Sequence, residues 1–196
     1  MLKNKWPVVV GNLALAIAFV FFILAIATEG YVGGDTGYHL SAAERFVDGE
    51  IPFVDFVDTN PPMIIYINAL PVLFAKVSHF PNTAIAPLFF GVLVVFCMFV
   101  YASVVEKAFQ LELLEKRILQ IGWVAISLWA FDAGYFGQRE HLIFLLLSPL
   151  ITLRISVGIG RSVNSPLAAL TGVLGALAIC LKPVSYTHLR AHETKP

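Results

Sequence analysis

Residues Val8 to Thr28 form an apolar run that no charged side chain interrupts. As a helix rising ~1.5 Å per residue, such a run is long enough to cross a ~30 Å hydrocarbon core. Inside lipid every backbone N–H and C=O must be paired within the protein, so a spanning segment is a helix or part of a closed barrel. Continuous apolar runs without alternation select the helix. Further runs cover Ala84 to Val105, Ile118 to Phe136, Leu142 to Ile155 (a short one) and Leu167 to Leu181. Composition agrees: 58% of residues are hydrophobic and 13% charged, with mean hydropathy +0.81, whereas soluble domains sit near ~45–50% and ~25%. The expected fold class is all-α, a polytopic transmembrane helical bundle. A net charge of zero without a basic patch gives no footprint for nucleic acid. Cys97 and Cys180 lie inside apolar runs and suggest packing rather than a disulfide or zinc site.

A signal peptide has a shorter apolar core and a small-residue cleavage site, so residues 8–28 read as a retained first span. Lys3 and Lys5 before it place the N-terminus in the cytoplasm by the positive-inside rule. The expected localisation is the plasma (inner) membrane, as a multi-pass protein. Lys107, Lys116 and Arg117 mark the loop Glu106–Arg117 as cytoplasmic, and Arg154 and Arg161 mark the later loop likewise. One net crossing then separates residues 29–62 from residues 106–117. Met63 to Phe80 is apolar at first but contains Asn68, Pro71, Lys76 and His79, and Pro71 is expected to break or kink a helix. Either this segment lies along or dips into the outer leaflet, or the charge rule fails; the first is preferred. That choice puts Gly137–His141 and Lys182 on the outer side together with residues 29–62.

Those residues are the polar part of the chain. Seven carboxylates fall between Glu29 and Asp58 (Glu29, Asp35, Glu44, Asp48, Glu50, Asp55 and Asp58) against one base, Arg45. Charge runs of this kind often only solvate a loop; beside a bilayer they also suit a site for a cation, a proton or an activated sugar or phosphate. Residues Thr36 to Val47 predict an amphipathic external helix, with Leu40, Ala43 and Val47 on one face. Asp35 at its start has two readings: a cap for free backbone N–H groups, or a general base or metal ligand at the foot of a span. His39, one turn on, either joins it or faces solvent. In Asp58-Thr59-Asn60-Pro61-Pro62 the paired prolines fix an extended backbone and aim Asp58 and Asn60 at a defined place. Asp132, costly inside a span, is expected near the interface of the same cavity.

From Val184 the chain turns abruptly polar, and Val184–Thr194 is what a transposase-type sequencing adapter would encode. Residues 184–196 are therefore expected to be an artefact tail, excluded from fold reasoning, and His188 and His192 are not taken as a metal site. Residues 1–183 are the expected membrane domain.

The order of these motifs resembles the GT-C superfamily of membrane glycosyltransferases, in particular the protein O-mannosyltransferases and bacterial family-39-like enzymes. Asp35 matches the acid that opens the family's first external loop, and Asp58–Pro62 matches a D-x-H-P-P-like element with Asn60 in the place of His. Gly137-Gln138-Arg139-Glu140-His141 matches a basic–acidic element at the outer end of a later span, and Lys182-Pro183 a Lys-Pro near the end of the next helical pair. The acidic pair that often opens the loop is here Asp35-Thr36, so one carboxylate of that pair is missing. The resemblance implies transfer of a sugar from a polyprenyl-phosphate donor to a lipid, glycan or protein acceptor at the outer face. It implies catalytic roles for Asp35, Asp58 and Glu140, with Arg139, Lys182, His39 and Asn60 binding substrate. Asp35 would be the base; Asp58 and Glu140 would orient groups or hold a divalent metal (Mg or Mn). The chain by itself is expected to be inactive, as the N-terminal part of a longer enzyme. The rival classes are a polytopic transporter and a non-catalytic membrane scaffold. A transporter would gather its charges near mid-bilayer and show internal repeats, and neither is seen here.

Overall fold

The computed structural model describes residue 24 and residues 32–109, 111–127, 135–161 and 163–182. Apart from Leu24, the first apolar run lies outside the described residues, as do Asp132, Pro183 and the tail 184–196. Within them the chain forms six α-helices and no strand: α1 (Gly34–Val47), α2 (Pro62–Ser78), α3 (Asn82–Ala108), α4 (Leu113–Ala125), α5 (Arg139–Gly158) and α6 (Ser165–Leu181). The fold class is all-α. Two helices, α3 and α5, are long and apolar enough to cross a membrane, while α2 and α6 are apolar but shorter.

Each helix starts where its sequence provides a start. α2 follows Pro61 and has Pro62 in its first turn, and α6 has Pro166 in its first turn after Asn164; a proline there forfeits only an N–H that has no helical partner. Glu112 and Glu115 form a reciprocal capping box at α4. α1 begins at Gly34, two residues earlier than the predicted Thr36, and buries Leu40 and Ala43 of the predicted face together with Thr36, His39 and Ala42. Pro71 does not break its helix: α2 runs unbroken from Pro62 to Ser78 with Pro71 inside it. The proline forfeits one backbone bond, and the burial of Ile64, Ile65, Ala69, Val72 and Ala75 on that helix holds the backbone in place.

α5 and α6 pack as a hairpin, α3 packs along α5, and α1 packs along α2. Gly175 lets α6 approach closely, since a Cβ there would collide with the side chain of Leu150 on α5. On the other side of α5, Trp123 stacks between Tyr101 and Phe144 and donates its Nε1–H to Ser148 Oγ at 2.9 Å. Lys107 at the end of α3 reaches Asn164 at the start of α6 (3.2 Å).

Both ends of α2 lie at the opposite end of α3 from that contact. Its start adjoins Asn60, which bonds Arg139 at the start of α5. Gly137, just before α5, packs on the ring of Phe90, two turns into α3. At the far end of the pair, Lys76 of α2 bonds Asp48 after α1, and Asn82 of α3 bonds Glu44 of α1. Thus α1 and α2 run side by side from the start of α5 to the start of α3, and neither carries the chain to the other end of the bundle.

Candidate functional site

Three segments distant in sequence meet at the start of α5. Thr36 in the first turn of α1 is buried and donates its hydroxyl to the Phe136 carbonyl at 3.2 Å, which docks α1 on the turn before α5. That turn is tight: Gly137 has φ +82°, and a Cβ there would come within 2.5 Å of the Phe90 ring, so glycine meets both the backbone and the packing demand. The Gly137 N–H donates to Nδ1 of buried His141 at 3.0 Å. The turn thereby aims Arg139 and Glu140 at α1.

Asp58 is buried, and its Oδ1 accepts the Asn60 backbone N–H at 2.8 Å and the Asn60 side-chain amide at 3.0 Å. This self-bonded turn leaves Asn60 Oδ1 free to accept from Arg139 at 2.9 Å. The guanidinium also donates to Glu140 Oε1 through Nε (3.2 Å) and a terminal nitrogen (3.1 Å). Lys182, at the end of α6, stands 3.6 Å from that same oxygen. One carboxylate oxygen therefore sets the spacing of two cations.

Asp35 faces this group across a cavity of about 100 Å³ lined by Asp35, Tyr38, His39, Asn60, Arg139 and Glu140. Of the two readings of Asp35, the cap makes a structural demand that can be checked. The N-cap of α1 is Gly33, and Asp35 lies inside the first turn, making no side-chain cap bond. Its exposed carboxylate has no hydrogen-bond or ion-pair partner among the described residues. His39 is 4% exposed and lines the cavity. Burial holds its pKa below the ordinary imidazole value, against the opposite pull of Asp58 and then Asp35. His39 Nδ1 and Asp58 Oδ2 are both buried without a hydrogen-bond partner.

All seven residues singled out in the sequence (Asp35, His39, Asp58, Asn60, Arg139, Glu140 and Lys182) are brought together here. Tyr38 was missed; it lines the cavity, and burial followed by the charge of Asp58 raises its pKa. Its place beside His39, one turn from Asp35, was the available signal. Thr36 and Gly137 were missed as positioning groups because their partners lie about a hundred residues away or on another helix. Among the described residues no three His, Cys, Asp or Glu side chains stand together to hold a metal. Glu140 Oε1 is engaged by two cations and Asp58 Oδ1 by Asn60.

No family model, no curated protein and no solved structure matches this chain.

Proposed function

We propose that this chain is part of a membrane glycosyltransferase that moves a sugar from a polyprenyl-phosphate donor to an acceptor hydroxyl at the outer face of the plasma membrane. One observation carries the reading: an unpaired carboxylate, Asp35, shares one small polar cavity with Arg139 and Glu140, and a second cation, Lys182, stands 3.6 Å from that Glu140. Transfer requires three things of a protein: a base for the acceptor hydroxyl, fixed positive charge for the leaving phosphate, and control of where they meet.

The acceptor oxygen attacks the anomeric carbon while its proton passes to Asp35. The bond from that carbon to the phosphate oxygen breaks, and its electron pair leaves with the phosphate. Arg139 and Lys182 stabilise the charge gathering there; a planar guanidinium pairs well with phosphate oxygens. Glu140 spaces the two cations, and Asp58 holds Asn60 so that Asn60 orients Arg139. The cavity is below the ~300–1,000 Å³ of ordinary ligand sites, which suits the reacting groups and leaves the polyprenyl tail to apolar surface.

The apolar outer face of α2 supports an outer-leaflet position. Tyr66, Leu70, Leu73, Phe74 and Val77 recur at helical spacing and are exposed, while the inner face is buried against the protein. A helix apolar on both sides and ending at the level where α3 begins fits between protein and lipid. With the N-terminus cytoplasmic, the site then opens outward.

The test is Asp35→Asn in the protein expressed from the complete reading frame, assayed with membrane vesicles carrying sugar-linked undecaprenyl phosphate. Transfer should fall ~10²–10⁴-fold with little change in protein level, since the side chain is exposed and makes no cap bond. Near-wild-type transfer would refute the assignment of the base.

A further inference from the structure

We propose that Asp58 is a positioning residue for His39: its Oδ2 takes the His39 Nδ1–H, so that the Nε2 lone pair is presented to the cavity as an acceptor for a hydroxyl. The identity of that hydroxyl, on the sugar or the acceptor, rests on the glycosyltransferase reading; the pair itself does not.

Two buried polar atoms without partners at one site are unusual, because each forfeits its bonds to water and gains none. His39 Nδ1 and Asp58 Oδ2 are such atoms, on residues that are 4% and 5% exposed. One is a potential donor and the other an acceptor, and among the charged groups around His39, Asp58 exerts the strongest pull. Asp58 cannot turn away, because its Oδ1 is held by both nitrogens of Asn60. The remaining oxygen, Oδ2, is left buried and available to another donor. A hydrogen bond between them would satisfy both atoms at once. A neutral imidazole carries one proton, so a proton on Nδ1 leaves Nε2 as the lone-pair side. A carboxylate behind an imidazole is a general device for selecting tautomer and ring orientation. The other charges around the ring are Asp35, Arg139 and Glu140. Asp35 shares the cavity wall with His39, while Arg139 bonds Asn60 and Glu140. Tyr38 packs edge-on against the His39 ring at 5.7 Å and leans on Asp58 through its hydroxyl end, making it the competing donor.

The tautomer is read by nitrogen NMR of the whole chain in detergent micelles with labelled histidine, His39 being assigned by its loss in His39→Phe. His39 should be protonated at Nδ1 at neutral pH. In Asp58→Asn it should move toward the Nε2–H form and titrate at lower pH than in the wild type. Tyr38→Phe should leave the tautomer unchanged. A wild-type His39 protonated at Nε2 overturns the proposal without any variant, so a misfolded Asp58→Asn cannot rescue it. An unchanged tautomer in a folded Asp58→Asn overturns it as well. In the transfer assay on the protein from the complete reading frame, His39→Phe and Asp58→Asn should each lower kcat/KM about tenfold, and the double variant no further. Additive losses would sever the pair. A protein that shows the tautomer but no transfer retains the pair and loses the glycosyltransferase reading.

Discussion

Six of the seven acids between Glu29 and Asp58 lie within the described residues, and the structure sorts them by what they touch. Glu50 accepts from Arg45 at 2.7 Å, and Asp55 Oδ2 accepts the Ile51 N–H at 2.7 Å, so both serve the loop after α1, where Arg45 also stacks 4.4 Å over Phe56. Glu44 and Asp48 tie α1 to Asn82 and Lys76. Solvation and tethering thus account for four acids; of the six, Asp35 lines the cavity and Asp58 stands behind it, bonded to Asn60. His39 leads to a pH prediction. Its folded pKa is depressed, mainly by burial, below the ~6.5 of a free imidazole. Below that value the unfolded chain takes up a proton that the folded chain refuses, so stability present above about pH 6.5 is lost as pH falls toward the folded pKa. Thermal melts at pH 7.5 and pH 5 should show wild type losing more stability than His39→Phe; equal losses would remove His39 from the account.

At the scale of elements, the site depends on how α5 and α6 are held together, because Arg139 and Glu140 start one and Lys182 ends the other. Gly175 sets that spacing. Gly175→Val should force the helices apart, lower stability by ~1–3 kcal/mol, and loosen Lys182 from Glu140. Adding Leu150→Ala should recover part of the loss, and a melt in detergent checks both. The α1–α2 pair gives a second prediction. If α2 stays in the outer leaflet, the start of α5 and the loop after α1 share one side. In a chain with Cys97 and Cys180 replaced, Ile51→Cys and Tyr135→Cys should react with an impermeant thiol reagent from outside. Leu114→Cys and Arg161→Cys should stay protected. All four positions are exposed, so protection would reflect the membrane. Labelling of 114 with protection of 135 would overturn the topology and the outward-facing site together.

For the molecule as a whole, the described helices gather one small polar cavity at the start of α5. Among the described residues, Val92, Phe96 and Phe99 form an exposed apolar face of α3. Much of the molecule is legible without coordinates. Apolar runs too long for strands dictate helices, and proline and capping signals mark where α2, α4 and α6 begin, since these depend on neighbours within one turn. That the seven residues of the motifs would gather was legible too, through motif order and the common side that charge bias led one to expect. What distance in sequence hides, only packing decides. Pro71 sits within an unbroken helix because burial outweighs one lost bond. Asp35 is unpaired because Gly33 takes the cap, and four acids are diverted to tethers by partners that no local pattern announces. The convergence on the Arg139 turn depends on Thr36 reaching Phe136 and on Phe90 leaving room only for a glycine at position 137. These are contacts between distant segments, fixed by the shape of the packed helices and not by any local propensity.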